Sequence, residues 1–257
     1  MLSLDALDAE LEKARARIEG SCEKCGGLGS VETGETDDDT LEPALTPCDC
    51  RARLVVEVAL IDGNVPREFR QPSDFDPFAA GPNAHVADLL RKYADRLAVA
   101  REHGLGFLFY GENGVGKTLA ACWLLREAAR AGASVFYTTA PEWLDAKVRA
   151  FRDEDFADWL REKEEADFMV LDELGKEHRR EGSSFAPASL DSLIRARASA
   201  LLPTVAVTNI IDDRGLEESL GASLISILSG RRFRKVEFEP GDFRGATLWE
   251  DLLDGEG

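Results

Sequence analysis

The clearest chemistry in the chain lies at residues 111–118. Gly111-Glu112-Asn113-Gly114-Val115-Gly116-Lys117-Thr118 satisfies the G-x-x-x-x-G-K-[ST] pattern at every fixed position. A loop of this kind turns several backbone N–H groups toward phosphate oxygens, and the helix that follows adds the positive end of its dipole. Lys117 is expected to reach the β- and γ-phosphates and the Thr118 hydroxyl to ligate Mg²⁺, with Leu119 ending the nucleotide-contacting run. The flanks separate the motif from an ordinary glycine-rich turn. Phe107 to Tyr110 are β-formers, and Leu119 to Leu125 read as a helix. A nucleoside triphosphate is the expected ligand.

Two further stretches fit around a bound triphosphate. Phe168-Met169-Val170-Leu171 is a buried strand that ends in Asp172 and Glu173. Asp172 is expected beside the loop as the outer-sphere acceptor for Mg²⁺, and Glu173 as the group that polarises an attacking water. Thr204 to Val207 form another apolar run, ending in Thr208 and Asn209. The Asn209 amide could sense the γ-phosphate or position the water.

A second chemistry is concentrated near the N-terminus. Four of the five cysteines fall within residues 22–50, as Cys22-x-x-Cys25 and Cys48-x-Cys50. Two close pairs joined by a glycine-rich, acidic, proline-broken stretch suit a tetrahedral structural zinc with four thiolates and no open position. Fortuitous free thiols are the alternative, and the C-x-C spacing of the second pair is the less common one. Cys122 falls within the apolar helix after the phosphate loop and reads as a core thiol.

Composition limits the classes of function. The 257 residues are 44% hydrophobic, enough for a core, and carry a net charge of −18. That balance argues against a generally basic surface wrapped by duplex DNA. No stretch approaches the ~20 apolar residues of a transmembrane helix, and the charged N-terminal residues lack a signal peptide's apolar run. A cytoplasmic protein with no membrane contact is expected.

The positioning elements follow from pattern. Leu4, Leu7, Leu11, Ala14 and Ile18 give a short helix with one apolar stripe, which either packs on its own domain or docks on a partner, the latter being preferred. Residues 51–62 read as helix, 63–78 as a proline-broken connector and 83–103 again as helix. From residue 105 strands and helices alternate, with strands at 106–110, 134–139, 167–173, 204–209 and 236–240 and one long helix over 141–165. This is an α/β pattern, a parallel five-stranded sheet flanked by helices. The expected division is an N-terminal helical and zinc-binding region (1–62), a linker (63–82) and an ATPase domain (83–257).

GENGVGKT, FMVLDE and VAVTN, in this order and spacing, resemble the AAA+ ATPases. Within them the chain is similar to the bacterial replicative-helicase loaders of the DnaC/DnaI type and to the IstB transposition helpers. VPREFR, LDELGKE and GDFRG add to that similarity, as do the paired cysteines, over about residues 20–248. The resemblance implies ATP as the nucleotide, retained hydrolysis at Asp172-Glu173, and a shortened C-terminal lid, since residues 210–257 are too few for a full one. It leaves Arg244 between a nucleotide-sensing role and an ion pair with Asp242.

The resemblance also implies partners. Arg231 and Arg232 fall in the region that supplies an arginine finger to a neighbour's γ-phosphate, so self-association would complete each site; a solvated basic turn is the alternative. Lys147, Arg149, Phe151 and Arg152 lie where such ATPases carry a single-strand-binding helix, although Phe151 also suits a core and the acidic run DEDFADWLREKEE follows at once. The implied function is an ATP-dependent loader that grips a hexameric replicative helicase and helps place it on single-stranded DNA. A transposition helper should instead bind duplex DNA. A small-molecule phosphotransferase would need an acceptor pocket and a mobile basic lid that no segment supplies.

Overall fold

The computed structural model describes residues 4–20, 22–36, 43–70, 82–175, 185–211 and 213–241. Five parallel strands form the central sheet: β3 (Gly106–Gly111), β4 (Val135–Thr139), β5 (Phe168–Leu174), β6 (Thr204–Thr208) and β7 (Phe233–Phe238). Their order is β4-β5-β6-β3-β7, and each neighbouring pair is parallel. The expected five-stranded parallel sheet is therefore present, its last strand starting three residues earlier than the sequence pattern suggested.

Successive side chains of a strand point to opposite faces, and the core divides accordingly. Phe107, Phe109, Val135, Tyr137, Phe168, Val170, Val205, Val207, Val236 and Phe238 face one layer. It is formed by α2 (Asp49–Asp62), α3 (Ala84–Ala94), α4 (Leu97–His103) and α5 (Lys117–Arg130). Leu108, Phe136, Met169, Leu171 and Ala206 face the other layer. That one is formed by α6 (Ala140–Ala150), α7 (Glu154–Glu164), α8 (Phe185–Ser199), α9 (Asp213–Leu220) and α10 (Ala222–Leu228). Burial on both faces explains why the strands read as unbroken apolar runs.

Three expectations are corrected. The single helix expected over 141–165 is two helices, α6 and α7, broken at residues 151–153. Asp153 caps α7 by accepting a hydrogen bond from Phe156 N at 3.0 Å, and Glu154 and Asp155 occupy its first turn. Part of the acidic run is thus a helix start, where carboxylates favour the dipole. Helix 83–103 is likewise two elements, α3 and α4.

The third correction concerns α1 (Leu4–Ile18). The preferred reading of its apolar stripe was a partner surface. Leu11, Ala14 and Ile18 instead pack on Leu54, Val58 and Ile61 of α2, because two short amphipathic helices side by side bury both stripes. The side chains of Leu4 and Leu7 lie outside the described residues. A two-stranded antiparallel hairpin that the sequence did not announce, β1 (Ser30–Thr36) with β2 (Pro43–Pro47), fills part of the stretch between the cysteine pairs.

Both edges of the central sheet meet an asparagine. Beside β4, Tyr137 N donates to Gly63 O at 2.8 Å, and Asn64 Nδ2 donates to Tyr137 O at 3.1 Å. Just beyond β7, Asn83 Nδ2 donates to Glu239 O at 3.2 Å and its Oδ1 accepts from Glu239 N at 2.8 Å. Among the described residues no helix is long and apolar enough to cross a membrane.

Candidate nucleotide site and cysteine cluster

The phosphate loop joins the end of β3 to the start of α5. Gly116 stands immediately before the helix with φ 89°, in the left-handed region where a side chain is strained, which explains glycine here. Lys117 is buried, and its Nζ donates to Gly111 O at 2.8 Å and to Glu112 O at 2.5 Å. Those two carbonyls hold the ammonium inside the curve of the loop.

Strand alternation decides what lies opposite. Asp172 follows Phe168 and Val170 at even spacing, so it shares their face and meets α5. Its Oδ2 accepts from Thr118 Oγ1 at 2.7 Å and from the Tyr137 hydroxyl at 3.1 Å, and its Oδ1 accepts from Glu173 N at 2.6 Å. Only 4% of Asp172 is exposed, and these donors compensate for the lost hydration of a carboxylate. Burial, reinforced by the adjacent Asp172 carboxylate, pushes the Tyr137 phenol well above its ordinary range.

Glu173 has φ 58°, an unusual backbone for a side-chain-bearing residue, and the β5–β6 register shifts between Leu171 and Leu174. Strain of this kind concentrates at functional positions. Thr208 Oγ1 donates to Leu174 O at 2.8 Å, fastening the end of β6 to β5. Asn209 therefore emerges between the strand carrying Asp172 and the strand leading into the phosphate loop. Lys117, Thr118, Asp172, Glu173 and Asn209 converge at one end of the sheet, outside the carboxyl ends of its strands, where parallel sheets bind ligands.

The structure does not bring the two arginines to that place. Arg232 O accepts from Gly106 N at 2.8 Å, at the opposite end of β3, and the Arg232 guanidinium donates to Ala198 O. The length of β3 alone separates them from the loop, about 16 Å at 3.3 Å per residue. Arg231 and Arg232 are exposed. Among the candidate DNA-contacting residues, Lys147 pairs with Glu164 at 3.1 Å and lies over the Trp143 ring. Arg149 pairs with Asp153 at 3.3 Å and covers Phe156. Arg152 is exposed and Phe151 is 75% exposed, its ring 6.3 Å from that of Phe185. Arg244 and Asp242 lie outside the described residues.

The cysteine pairs do meet. The β1–β2 hairpin pairs Ser30 with Pro47, which carries Cys48 and Cys50 back to Cys22 and Cys25. The four Sγ atoms lie within 4.8 Å of one another, with Cys22–Cys48 at 3.7 Å and Cys25–Cys50 at 3.5 Å. Zinc–sulfur bonds of about 2.3 Å at tetrahedral angles require sulfurs about 3.8 Å apart, so the cluster is compatible with zinc. Burial raises the Cys50 thiol to about 12. Burial acts the same way on Cys25, but the Gly29 N–H and neighbouring thiols outweigh it and bring that group down to about 6. Cys122 is fully buried in the sheet's core, as expected of a core thiol.

Residues 99–186 match the family model described as IstB-like ATP binding protein. No curated protein matches the chain significantly. Among solved structures, the fold is similar to the DnaC helicase loader (18% identity, TM-score 0.59), covering 68% of this chain and all of that one. DnaI is similar at 20% identity and TM-score 0.56, covering 68% of this chain and 95% of that one. The replication initiator DnaA bound to AMPPCP and single-stranded DNA is similar at 15% identity and TM-score 0.53, covering 75% and 57%. At these identities the likeness is one of fold. Together with the family model and the loop geometry it supports an ATP-binding phosphate-loop protein.

Proposed function

We propose that this chain, whose family-model and fold matches support the DnaC/DnaI-type, IstB-related AAA+ ATPases, is an ATP-driven loader that helps place a replicative helicase on single-stranded DNA. One observation carries the reading. The nucleotide-handling residues gather at one end of the sheet while Arg231 and Arg232 stand at the other. In this reading the catalytic site is completed by a neighbour's arginine.

The chemistry follows from the residues. Lys117 would exchange its two carbonyl partners for the β- and γ-phosphates. Thr118 Oγ1 and Asp172 Oδ2 are hard oxygen donors beside the loop, and would hold Mg²⁺ directly and through water respectively. A divalent ion there supplies charge neutralisation for the phosphates. Glu173 would accept the proton of the attacking water, Asn209 would orient that water or sense the γ-phosphate, and a neighbour's Arg231 or Arg232 would offset the transition-state charge. The exposed Phe151, with Arg152 beside it, suits stacking on unpaired bases. In this reading residues 1–62 would grip the helicase, 63–82 link and 83–257 form the ATPase, with α2 at the end of the first region and the start of the second packed into the ATPase core.

Two variants separate binding from turnover. Lys117→Ala is expected to abolish ATP binding, whereas Glu173→Gln should bind ATP and hydrolyse it about 10²-fold more slowly or worse. Normal turnover by the Gln variant would remove Glu173 from its role. The loader reading itself is tested on closed circular single-stranded DNA carrying an annealed oligonucleotide. A hexameric helicase should displace the oligonucleotide faster with the wild-type chain than with Lys117→Ala. Equal rates, with strong binding to duplex DNA, would favour a transposition helper instead.

A further inference from the structure

We propose that Tyr137 is a positioning residue for Asp172, held in place by the turn that ends α2. The proposal deepens the ATP–Mg²⁺ reading above and rests on it. Tyr137 lies on the edge strand, yet its side chain runs inward on the α5 face and its hydroxyl donates to Asp172 Oδ2 at 3.1 Å. The same oxygen accepts from Thr118 Oγ1. Two donors from different elements, α5 and β4, therefore fix the direction in which this lone carboxylate oxygen presents its charge.

The backbone of Tyr137 is fixed independently. In a parallel strand the N–H and C=O of one residue point to the same side, and those of Tyr137 point outward to Gly63 O and Asn64 Nδ2. Gly63 approaches β4 closely enough that a Cβ there would lie 2.5 Å from Val135 O. Just before it, Asp62 pairs with the buried Lys163 of α7 at 2.6 Å. The turn is thus fastened to two elements of the ATPase core. Helix α2, which leads into it, begins at the cysteine cluster, with Cys48 at its N-cap and Cys50 in its first turn.

The test titrates Mg²⁺ against a fluorescent ATP analogue bound to the full chain, with an EDTA baseline. Tyr137→Phe keeps the ring in the core and deletes the hydroxyl alone. Analogue binding in EDTA should be unchanged, while the Mg²⁺ needed for half-maximal enhancement should rise about tenfold, the usual worth of a hydrogen bond to a charged group. Asn64→Ala should shift it in the same direction by about two- to threefold. Asn83→Ala, which removes the comparable clasp at the other edge of the sheet, should not shift it. A Mg²⁺ requirement within twofold of wild type in Tyr137→Phe overturns the proposal, as does an equal shift in Asn83→Ala. Should Tyr137→Phe fold poorly, the contrast between the two asparagine variants decides. If the wild-type chain binds the analogue without any Mg²⁺ enhancement, the ATP–Mg²⁺ reading fails first and the proposal with it.

Discussion

Cys22→Ser is expected to release one zinc per chain and to unfold the surrounding segment. Among its described residues the β1–β2 hairpin has almost no core of its own. Its buried contacts are Cys25, Cys48 and Cys50, with Cys22, Ile18 and Val31 packed around them, while Leu28 and Leu45 point into solvent. Structural zinc contributes about 10 kcal/mol or more in small sites of this kind, far more than the few side chains there can supply. Because Ile18 belongs to both this cluster and the α1–α2 interface, α1 should loosen as well. Metal content by elemental analysis, together with hydrogen exchange over residues 11–54, gives the answer. A metal-free native preparation with four reactive thiols would dismiss the zinc reading.

The second large effect concerns assembly. Lys117→Ala subunits keep intact arginines, and subunits carrying Arg231→Ala and Arg232→Ala keep an intact phosphate loop. Each alone should be inactive, the second by about 10³-fold or more if the arginines act as fingers. Mixing the two should restore activity, because one kind of mixed contact contains a complete site. Wild-type hydrolysis should rise more than linearly with protein concentration, with helicase or single-stranded DNA added where they promote contact. Wild-type rates from the double arginine variant alone would show a self-contained nucleotide switch. Both arginines sit a strand's length from their own loop, farther than side-chain rearrangement within one subunit brings them.

The sequence was most informative where local chemistry dictates structure. The phosphate loop and the doubly buried strands were legible because fixed glycines and unbroken apolar runs have few other uses. Asp172 beside the phosphate loop was legible as the carboxylate that ends a buried strand. The hairpin between the cysteine pairs was not legible, since its described strand residues are mostly exposed and show no alternation. Nor was the burial of Arg197. Its neighbour Arg195 pairs with Asp191 on the surface. Arg197 instead runs inward to Thr204 Oγ1 and the carbonyls of Glu164, Ala166 and Pro203. Partners drawn from other elements leave no trace in the helix's own pattern. Tyr137 was missed for a similar reason, because as one aromatic in SVFYTT nothing nearby announces that its hydroxyl reaches another strand.

The asparagines at the two margins of the sheet bear on colloidal behaviour. An edge strand with free peptide groups is a template on which further chains can add, the usual first step toward fibrous aggregates. Here the outward N–H and C=O of Tyr137 are already taken by Gly63 and Asn64, and the chain leaving β7 is clasped at Glu239 by Asn83. At these points the sheet's margins are closed to a further strand, so contacts between copies of this chain that follow the proposed assembly would fall on side-chain surfaces, which part more readily than paired strands.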